Sequence, residues 1–324
     1  MKAIVYTQYG PPDVLQFTEV EKPTPKKNEI LVKVHAASAN AYDWHLLRAK
    51  PFLVRFMGGG FFTPKNRILG ADIAGQVEAV GQDVKKFHVG DEVFGDNAAH
   101  GAGGFAEYVS APESAMALKP INLTFAQAAA VPMAGVTALQ GLRDFGKIQP
   151  GQTVLINGAS GGVGTFAIQI AKFFGAHVTA VCSTRNVDQA RSLGADRVID
   201  YTQEDFTKLR ERYDLILAVN GYHSIAAYKR ALVPTGSYLM AGGSTAQIFE
   251  ALLLAPWFSM TGTQKMGTVS CTPNQKDLIF LKELIEAGKV VPVIDRSYPL
   301  RKAADAIRYL EEGHAQGKII ITIA

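Results

Sequence analysis

Residues 153–164 read Thr-Val-Leu-Ile-Asn-Gly-Ala-Ser-Gly-Gly-Val-Gly, a short apolar strand followed at once by a glycine-rich turn. Beyond the turn, Val163, Phe166, Ala167, Ile170, Ala171 and Phe174 recur at helical spacing as one apolar stripe, which Gly175 closes. Strand, turn and helix in this order place backbone N–H groups and the positive end of a helix where a pyrophosphate can sit, and residues without a Cβ let the phosphate come close. Ala159, Gly161 and Gly164 occupy the three places of a G-x-G-x-x-G pattern, the first taken by Ala. Ser160, Gly161, Gly162, Val163 and Gly164 are therefore the candidate phosphate cradle. A glycine turn can also serve packing alone, so its surroundings decide.

Those surroundings alternate strand and helix. Strands are predicted at Thr153, His177, Arg197, Asp214 and Gly236, with helical stretches between them. Such alternation implies right-handed crossovers and a doubly wound parallel α/β sheet. The second strand runs out at Cys182-Ser183-Thr184-Arg185-Asn186, about 20 residues past the glycines, where an NAD site carries an acid for the ribose hydroxyls. No acid stands in that stretch. Ser183, Thr184 and Arg185 offer hydroxyls and a fixed cation to a 2′-phosphate, the reading that points to NADPH; the alternative is a solvated loop arginine.

Toward the N-terminus the pattern changes. Ile30, Val32 and Val34 alternate with Leu31, Lys33 and His35, and Gly70, Gly75, Gly81, Gly90 and Gly95 punctuate the next stretch, a β-rich pattern. After Gly243 regularity returns with helices over Asp277–Ala287 and around Leu300–Leu310, then a last strand over Lys318–Ile323 that is expected to complete the first sheet. With 324 residues, two domains are expected: a β-rich one from 1–122 and 266–324, and an α/β one from 123–265.

Charge and composition exclude several classes. The net charge of +4 is scattered without a basic stripe, which argues against nucleic acid. The two cysteines, Cys182 and Cys271, are far apart, so no disulfide framework exists, and a reducing, cytoplasmic setting is expected. Apolar runs are shorter than the roughly 20 residues of a membrane span.

Asn40-Ala41-Tyr42-Asp43, Leu69 to Gly75, Gly90 to Phe94, Gly104 to Tyr108, Ala129 to Pro132, the Ala159–Gly164 turn, Gly194-Ala195-Asp196 and Asp200-Tyr201 follow one another in a recognisable order. The chain thereby resembles the zinc-independent quinone oxidoreductase group of the medium-chain dehydrogenase/reductase superfamily, over residues 1 to 324. That resemblance implies a GroES-like catalytic domain built from both chain ends, a central Rossmann domain, and NADPH bound between them. It further implies that Asn40 and Thr137 lie near the nicotinamide, and that Gly161, Gly162 and Val163 hold the pyrophosphate. Tyr201 would lie near the adenosine phosphate, Gly242-Gly243 beside the nicotinamide, and Gly317-Lys318 toward the 2′-phosphate. Asn220 is a further cofactor candidate. Two departures stand out: Asn186 replaces a frequent Lys, and His45 replaces a common Tyr.

Zinc enzymes of that superfamily carry a Cys near the Asn40 position, a His-Glu pair after a glycine and another Cys ahead of the Rossmann domain. Here Gly70 is followed by Ala71-Asp72, and no Cys precedes Cys182, so no metal is expected. Without a Lewis acid, a ketone accepting hydride leaves a localised alkoxide, whereas an enone or quinone spreads the charge into an enolate or phenolate that hydrogen-bond donors can hold. The expected activity is thus NADPH-dependent reduction of a quinone or α,β-unsaturated carbonyl. The alternative is a non-catalytic NADPH-binding protein acting as a redox sensor, a structural protein or a membrane-associated partner. His45 is a candidate acid or donor to substrate, or a packing residue beside Trp44. Asp43 is expected to fix the local turn. Phe61, Phe62, Trp257, Phe258 and Met260 are candidates for an apolar pocket wall or for ordinary core. A homodimer is expected through the last Rossmann strand, with Ile248–Met260 covering that edge.

Overall fold

The computed structural model describes residues 1–56, 60–243 and 263–323. In chain order the first strands and helices are β1 (Lys2–Val5), β2 (Gln16–Glu19), β3 (Glu29–Ala39), α1 (Ala41–Arg48), β4 (Asp72–Val80), β5 (Glu92–Asp96), β6 (Tyr108–Pro112), β7 (Met116–Leu118), α2 (Phe125–Ala129) and α3 (Pro132–Gln140). The α/β stretch comes next as β8 (Thr153–Asn157), α4 (Gly162–Phe173), β9 (His177–Cys182), α5 (Val187–Ser192), β10 (Arg197–Asp200), β11 (Tyr213–Ala218), α6 (Ile225–Ala231), β12 (Leu232–Met240) and β13 (Lys265–Thr268). The chain ends with α7 (Gln275–Glu286), β14 (Ile294–Pro299), α8 (Ala303–Glu311) and β15 (Lys318–Thr322).

Two compact units result. One comprises residues 1–133, 273–288 and 292–324, the other 134–272 and 289–291. The first boundary falls at 133/134 instead of the expected 122/123, because α2 belongs to the β-rich unit: Phe125 stacks on His35 of β3 with ring centroids 4.3 Å apart. The second moves from 265/266 to 272/273, because β13 adds a sixth strand to the α/β sheet beside β12. Four residues with a single buried side chain, Met266, leave almost no periodic signal, which is why this strand is not legible in the sequence.

In the β-rich unit β3 is the hub. It is paired antiparallel with β4, β6 and β15, and the sheet runs β14-β15-β3-β4-β5-β7. The C-terminal strand therefore lies beside an N-terminal one, as the return of the apolar pattern predicts. Its core gathers Ile30, Val32, Leu47, Leu69, Ile73, Phe105, Ile307 and Ile321.

The second unit holds a six-stranded, all-parallel sheet in the order β10-β9-β8-β11-β12-β13. In order of appearance this is 3-2-1-4-5-6, the Rossmann arrangement, and the order reverses between β8 and β11. Phe166, Ala167, Ile170 and Ala171 of the stripe are buried as expected, while its ends Val163 and Phe174 are half-buried; Gly164, Thr165, Ile168 and Gln169 are buried too, so the helix is enclosed on more than one side. Gly175 comes after it at φ +79, a left-handed position that a side chain resists.

Gly164 is where α4 presses on the turn: a Cβ there would meet Gly158 O at 2.2 Å and Ala159 C at 2.7 Å, both backbone atoms that cannot swing away. Gly164→Ala is therefore expected to destabilise the α/β unit by about 1–3 kcal/mol, the usual cost of overpacking, read as a lowered denaturation midpoint in urea.

Candidate functional site

The glycine turn lies at the reversal of strand order, between the ends of β8 and β11. Gly158 holds φ +86, and a Cβ on it would strike the backbone N of Asn220 at 2.7 Å, so the segment after β11 closes directly over the turn. Gly161 is different. The space where its Cβ would point has only Gly158 O, at 3.7 Å, and its φ of −79 is open to any residue. No internal packing requires glycine here; the free room above Gly161 is what a close phosphate needs. The first internal helical bond is Thr165 N–H to Gly161 O at 3.0 Å. The N–H groups of Gly162, Val163 and Gly164 precede it in the first turn and have no carbonyl four residues back to bond. The residues fit a dinucleotide pyrophosphate.

Around the second strand the outcome is mixed. Thr184 does not offer a free hydroxyl: its Oγ1 donates to Asp200 Oδ2 at 2.6 Å. Asp200 comes from the end of β10, where it pairs with Cys182, and it also accepts the N–H and hydroxyl of Thr202. These donors hold its carboxyl below the usual range, the Thr184 hydroxyl most of all. The stretch 182–186 itself holds no acid, as read, but one stands on the neighbouring strand β10, invisible to a search along β9, and it organises Thr184 and Thr202. Ser183 Oγ accepts from the buried Asn186 Nδ2 at 3.1 Å and keeps its own proton to donate. Arg185 sits in the turn 184–186, and Tyr201 is exposed. Asn220 Oδ1 accepts its neighbour Gly221 N–H at 2.8 Å, and Thr137 is buried on α3.

In the β-rich unit a buried polar network surrounds Asn40. The Asn40 side-chain amide donates to Asp72 Oδ2 at 3.0 Å and to Ser38 O at 3.3 Å, and its Oδ1 accepts from Lys318 Nζ. Asp72 also accepts Ser38 Oγ–H at 2.9 Å, the Met133 backbone N–H at 2.9 Å and Lys318 Nζ at 3.3 Å. With side chains 4% and 0% exposed, Lys318 and Asp72 form a fully buried ion pair. Beneath them Asp43 Oδ2 accepts Asn40 N–H and Oδ1 accepts Gly70 N–H, both at 2.8 Å, the turn-fixing task expected of it. Burial pushes the Asp43 carboxyl up to about 7, against the pull of those two N–H bonds.

Three expectations change here. Lys318 does not present its charge to a 2′-phosphate, because its ammonium is turned inward to Asn40 and Asp72. Gly317 is explained by its own unit: at φ +128, a Cβ would meet Val293 O at 2.5 Å. His45 uses its Nδ1–H on Lys50 O, since a carbonyl can only accept, which leaves Nε2 as an acceptor. Burial lowers its pKa, so at neutral pH it is an uncharged ring stacked on Trp44 at 3.7 Å, with no proton to donate to a substrate. Phe61 and Phe62 are exposed, which excludes ordinary core; Phe61 meets Phe52, Phe56 and Phe62 edge to face. Trp257, Phe258, Met260 and the segment Ile248–Met260 lie outside the described residues, while Gly242 and Gly243 close the described part after β12.

In the sequence Asp72 stands out only as the residue found where a glutamate is expected. Its role is hidden there because its partners, Ser38, Asn40, Met133 and Lys318, are up to 246 positions away. Among the described residues no group of three or more His, Cys, Asp or Glu side chains is placed to hold a metal ion.

A Rossmann sheet with a glycine-rich turn at its strand reversal, in one chain with a unit of GroES-like β topology, defines a pyridine-nucleotide oxidoreductase. Residues 26–121 match the family described as alcohol dehydrogenase GroES-like domain, and residues 193–321 match zinc-binding dehydrogenase. A chloroplast envelope quinone oxidoreductase homolog of Arabidopsis thaliana is 35% identical over 99% of this chain and 98% of its own length. An NADPH-dependent alkenal/one oxidoreductase of the same plant is 36% identical over 99% of this chain and 79% of its own. The solved quinone oxidoreductase of Coxiella burnetii superposes with a TM-score of 0.89 at 32% identity, covering 100% of this chain and 99% of that one. The chain belongs to the zinc-independent quinone oxidoreductase group of the medium-chain dehydrogenase/reductase superfamily.

Removing one member of the buried pair strands the other. Lys318→Met should cost about 3–5 kcal/mol in urea unfolding, whereas Lys318→Met combined with Asp72→Leu should recover part of the loss.

Proposed function

We propose that the protein reduces quinones or α,β-unsaturated carbonyls with NADPH and without a metal. The bound nucleotide supplies the hydride. The observation that carries the reading is the Lys318–Asp72 ion pair. After Gly70, where the zinc enzymes have His-Glu, this chain has Ala71 and an Asp72 whose charge is already neutralised by a built-in ammonium. The donor set offers neither the imidazole nor the free carboxylate that a catalytic zinc requires. An acceptor that delocalises its own negative charge suits such a site. The names of the quinone and alkenal/one oxidoreductases among its relatives support the same substrate class.

In this reading Ser160 and the Gly161–Gly164 segment receive the pyrophosphate at the α4 N-terminus, and Ser183, Arg185 and Tyr201 surround the adenosine end. Asn220, Gly242, Gly243, Thr137 and Asn40 serve the nicotinamide end. Asn40 is well suited to a directional contact. Asp72, Lys318 and Ser38 O fix its amide, so one lone pair on Oδ1 points in a set direction without further loss of side-chain freedom. The non-catalytic alternative is not favoured by these relatives. We further propose a homodimer, paired through the last strand of the Rossmann sheet, and, on the cysteine usage alone, cytoplasm as the setting; the plant relatives carry chloroplast names.

Dialysis against a chelator should leave enone or quinone reduction intact, and turnover of a simple alcohol with NADP⁺ as fast as that reduction would overturn the metal-free reading. Arg185→Ala should weaken NADPH binding by about one to two orders of magnitude, the scale of a charged hydrogen bond, and leave NADH binding nearly unchanged. Equal weakening of both, in a fluorescence titration, would remove Arg185 from the 2′-phosphate.

A further inference from the structure

Asn157 is the last residue of β8, next to Gly158 of the glycine turn, and it is 4% exposed. A side-chain amide buried this far has to be matched, and its partners gather on one short segment and the helix behind it. The amide donates to the Tyr228 hydroxyl oxygen at 2.8 Å and to Gly221 O at 3.4 Å. The Asn157 backbone carbonyl accepts Val219 N–H at 2.9 Å and Asn220 N–H at 3.2 Å. Tyr228, fully buried on α6, donates its own hydroxyl proton to Gly221 O at 3.4 Å. One residue thus holds all three members of the segment 219–221, and a second donor reaches the same carbonyl from α6. On its remaining sides the segment is wedged by glycines. It crosses the turn where a Cβ on Gly158 would meet Asn220 N, and a Cβ on Gly242, after β12, would meet Val219 O at 2.5 Å.

We propose that Asn157, acting with Tyr228, is the positioning residue of the nucleotide site: it latches 219–221 over the phosphate turn, and the latch sets how tightly the turn grips a pyrophosphate.

The inference rests on the reading of the turn as a nucleotide site and adds what holds that site in shape. The grip of the turn depends on the direction of its N–H groups. Because Asn220 lies directly on Gly158, the turn keeps one conformation only while 219–221 stays in place. N–H groups fixed beforehand lose little freedom when they meet a phosphate; with the latch cut, part of that ordering must take place on binding, and affinity falls. Neither Asn157 nor Tyr228 has to touch the nucleotide. The residue types follow from the bonds. An aspartate at 157 has no N–H for Gly221 O, and a leucine has none for either partner, whereas the tyrosine hydroxyl accepts from one group and donates to the other, so the two bonds reinforce each other.

The test uses the full chain, with fluorescence titration of NADPH and of adenosine 2′-phosphate, a probe that lacks the pyrophosphate. Tyr228→Phe and Asn157→Leu should each weaken NADPH about two- to tenfold, the scale of one neutral hydrogen bond, and leave adenosine 2′-phosphate unchanged. The double variant should bind NADPH within about twofold of Asn157→Leu, since both side chains act on one carbonyl. Without nucleotide, amide hydrogen exchange at Val219 and Asn220 should be faster in Tyr228→Phe than in the parent. In turnover, KM for NADPH should rise while kcat stays within about twofold, the mark of lost binding shared by ground and transition states. Val178→Ala, a core truncation at the other end of the neighbouring strand β9, should lower the urea midpoint and leave NADPH affinity as it is. If Asn157→Leu does not fold, Tyr228→Phe, which removes one hydroxyl, decides alone. Unchanged NADPH affinity in Tyr228→Phe, equal weakening of adenosine 2′-phosphate, or equal weakening of NADPH by Val178→Ala would overturn the latch. A parent chain that binds no NADPH would overturn the nucleotide reading itself and the latch with it, so the two failures are told apart by the parent.

Discussion

Lys318 places one positive charge in the interior of the β-rich unit, and the arrangement around it depends on that charge. Its ammonium reaches Asp72 on β4 and Asn40 at the start of α1 from the last strand, β15, so a single buried group ties three elements together. Remove it and Asp72 becomes an unpaired buried carboxylate, a state the low-dielectric interior penalises heavily. The pairing of β15 with β3 sets the register that brings Lys318 to this depth, with Ile319 opposite Ala39. Sheet closure and charge neutralisation are thus one event: the C-terminal strand completes the sheet and delivers the cation.

The same cation has a consequence for chemistry. A carboxylate neutralised by a lysine is a poor ligand for a second cation, so the unit is organised around hydrogen-bond donors and not a metal. Asn40 gains most, because an amide held from three directions loses almost no freedom when it meets a further partner. Asp43 and Asp96 lie within reach of the same charge without touching it, and their carboxyls are raised in consequence of burial.

In the α/β unit the governing constraint is steric. Gly158 and Gly164 are needed by the protein itself, one for its left-handed backbone under Asn220 and the other for close contact between α4 and the turn. Gly161 is needed by neither. Gly161 leaves open room on the turn, at the strand reversal where Rossmann sheets bind their ligands.

The sequence by itself determined whatever depends on short range. The strand at Thr153, the turn at Gly158–Gly164, the helix after it, the parallel alternation beyond and the change of pattern near residue 120 are all written in neighbouring residues, because periodicity and turn chemistry act over a few positions. Asp43 as a turn-fixing residue was legible for the same reason, its partner Asn40 being three positions away, whereas its second partner, Gly70, comes from 27 positions along the chain. What only the tertiary structure decided depends on partners brought together from far apart. Lys318 turns inward instead of toward a phosphate, Thr184 is taken by an acid from the next strand, and His45 gives its only N–H to a helix end. Asp96 is left with one buried oxygen unmatched. Each outcome hangs on which donor faces which acceptor across a sheet, and residue type and spacing do not contain that information until register is set.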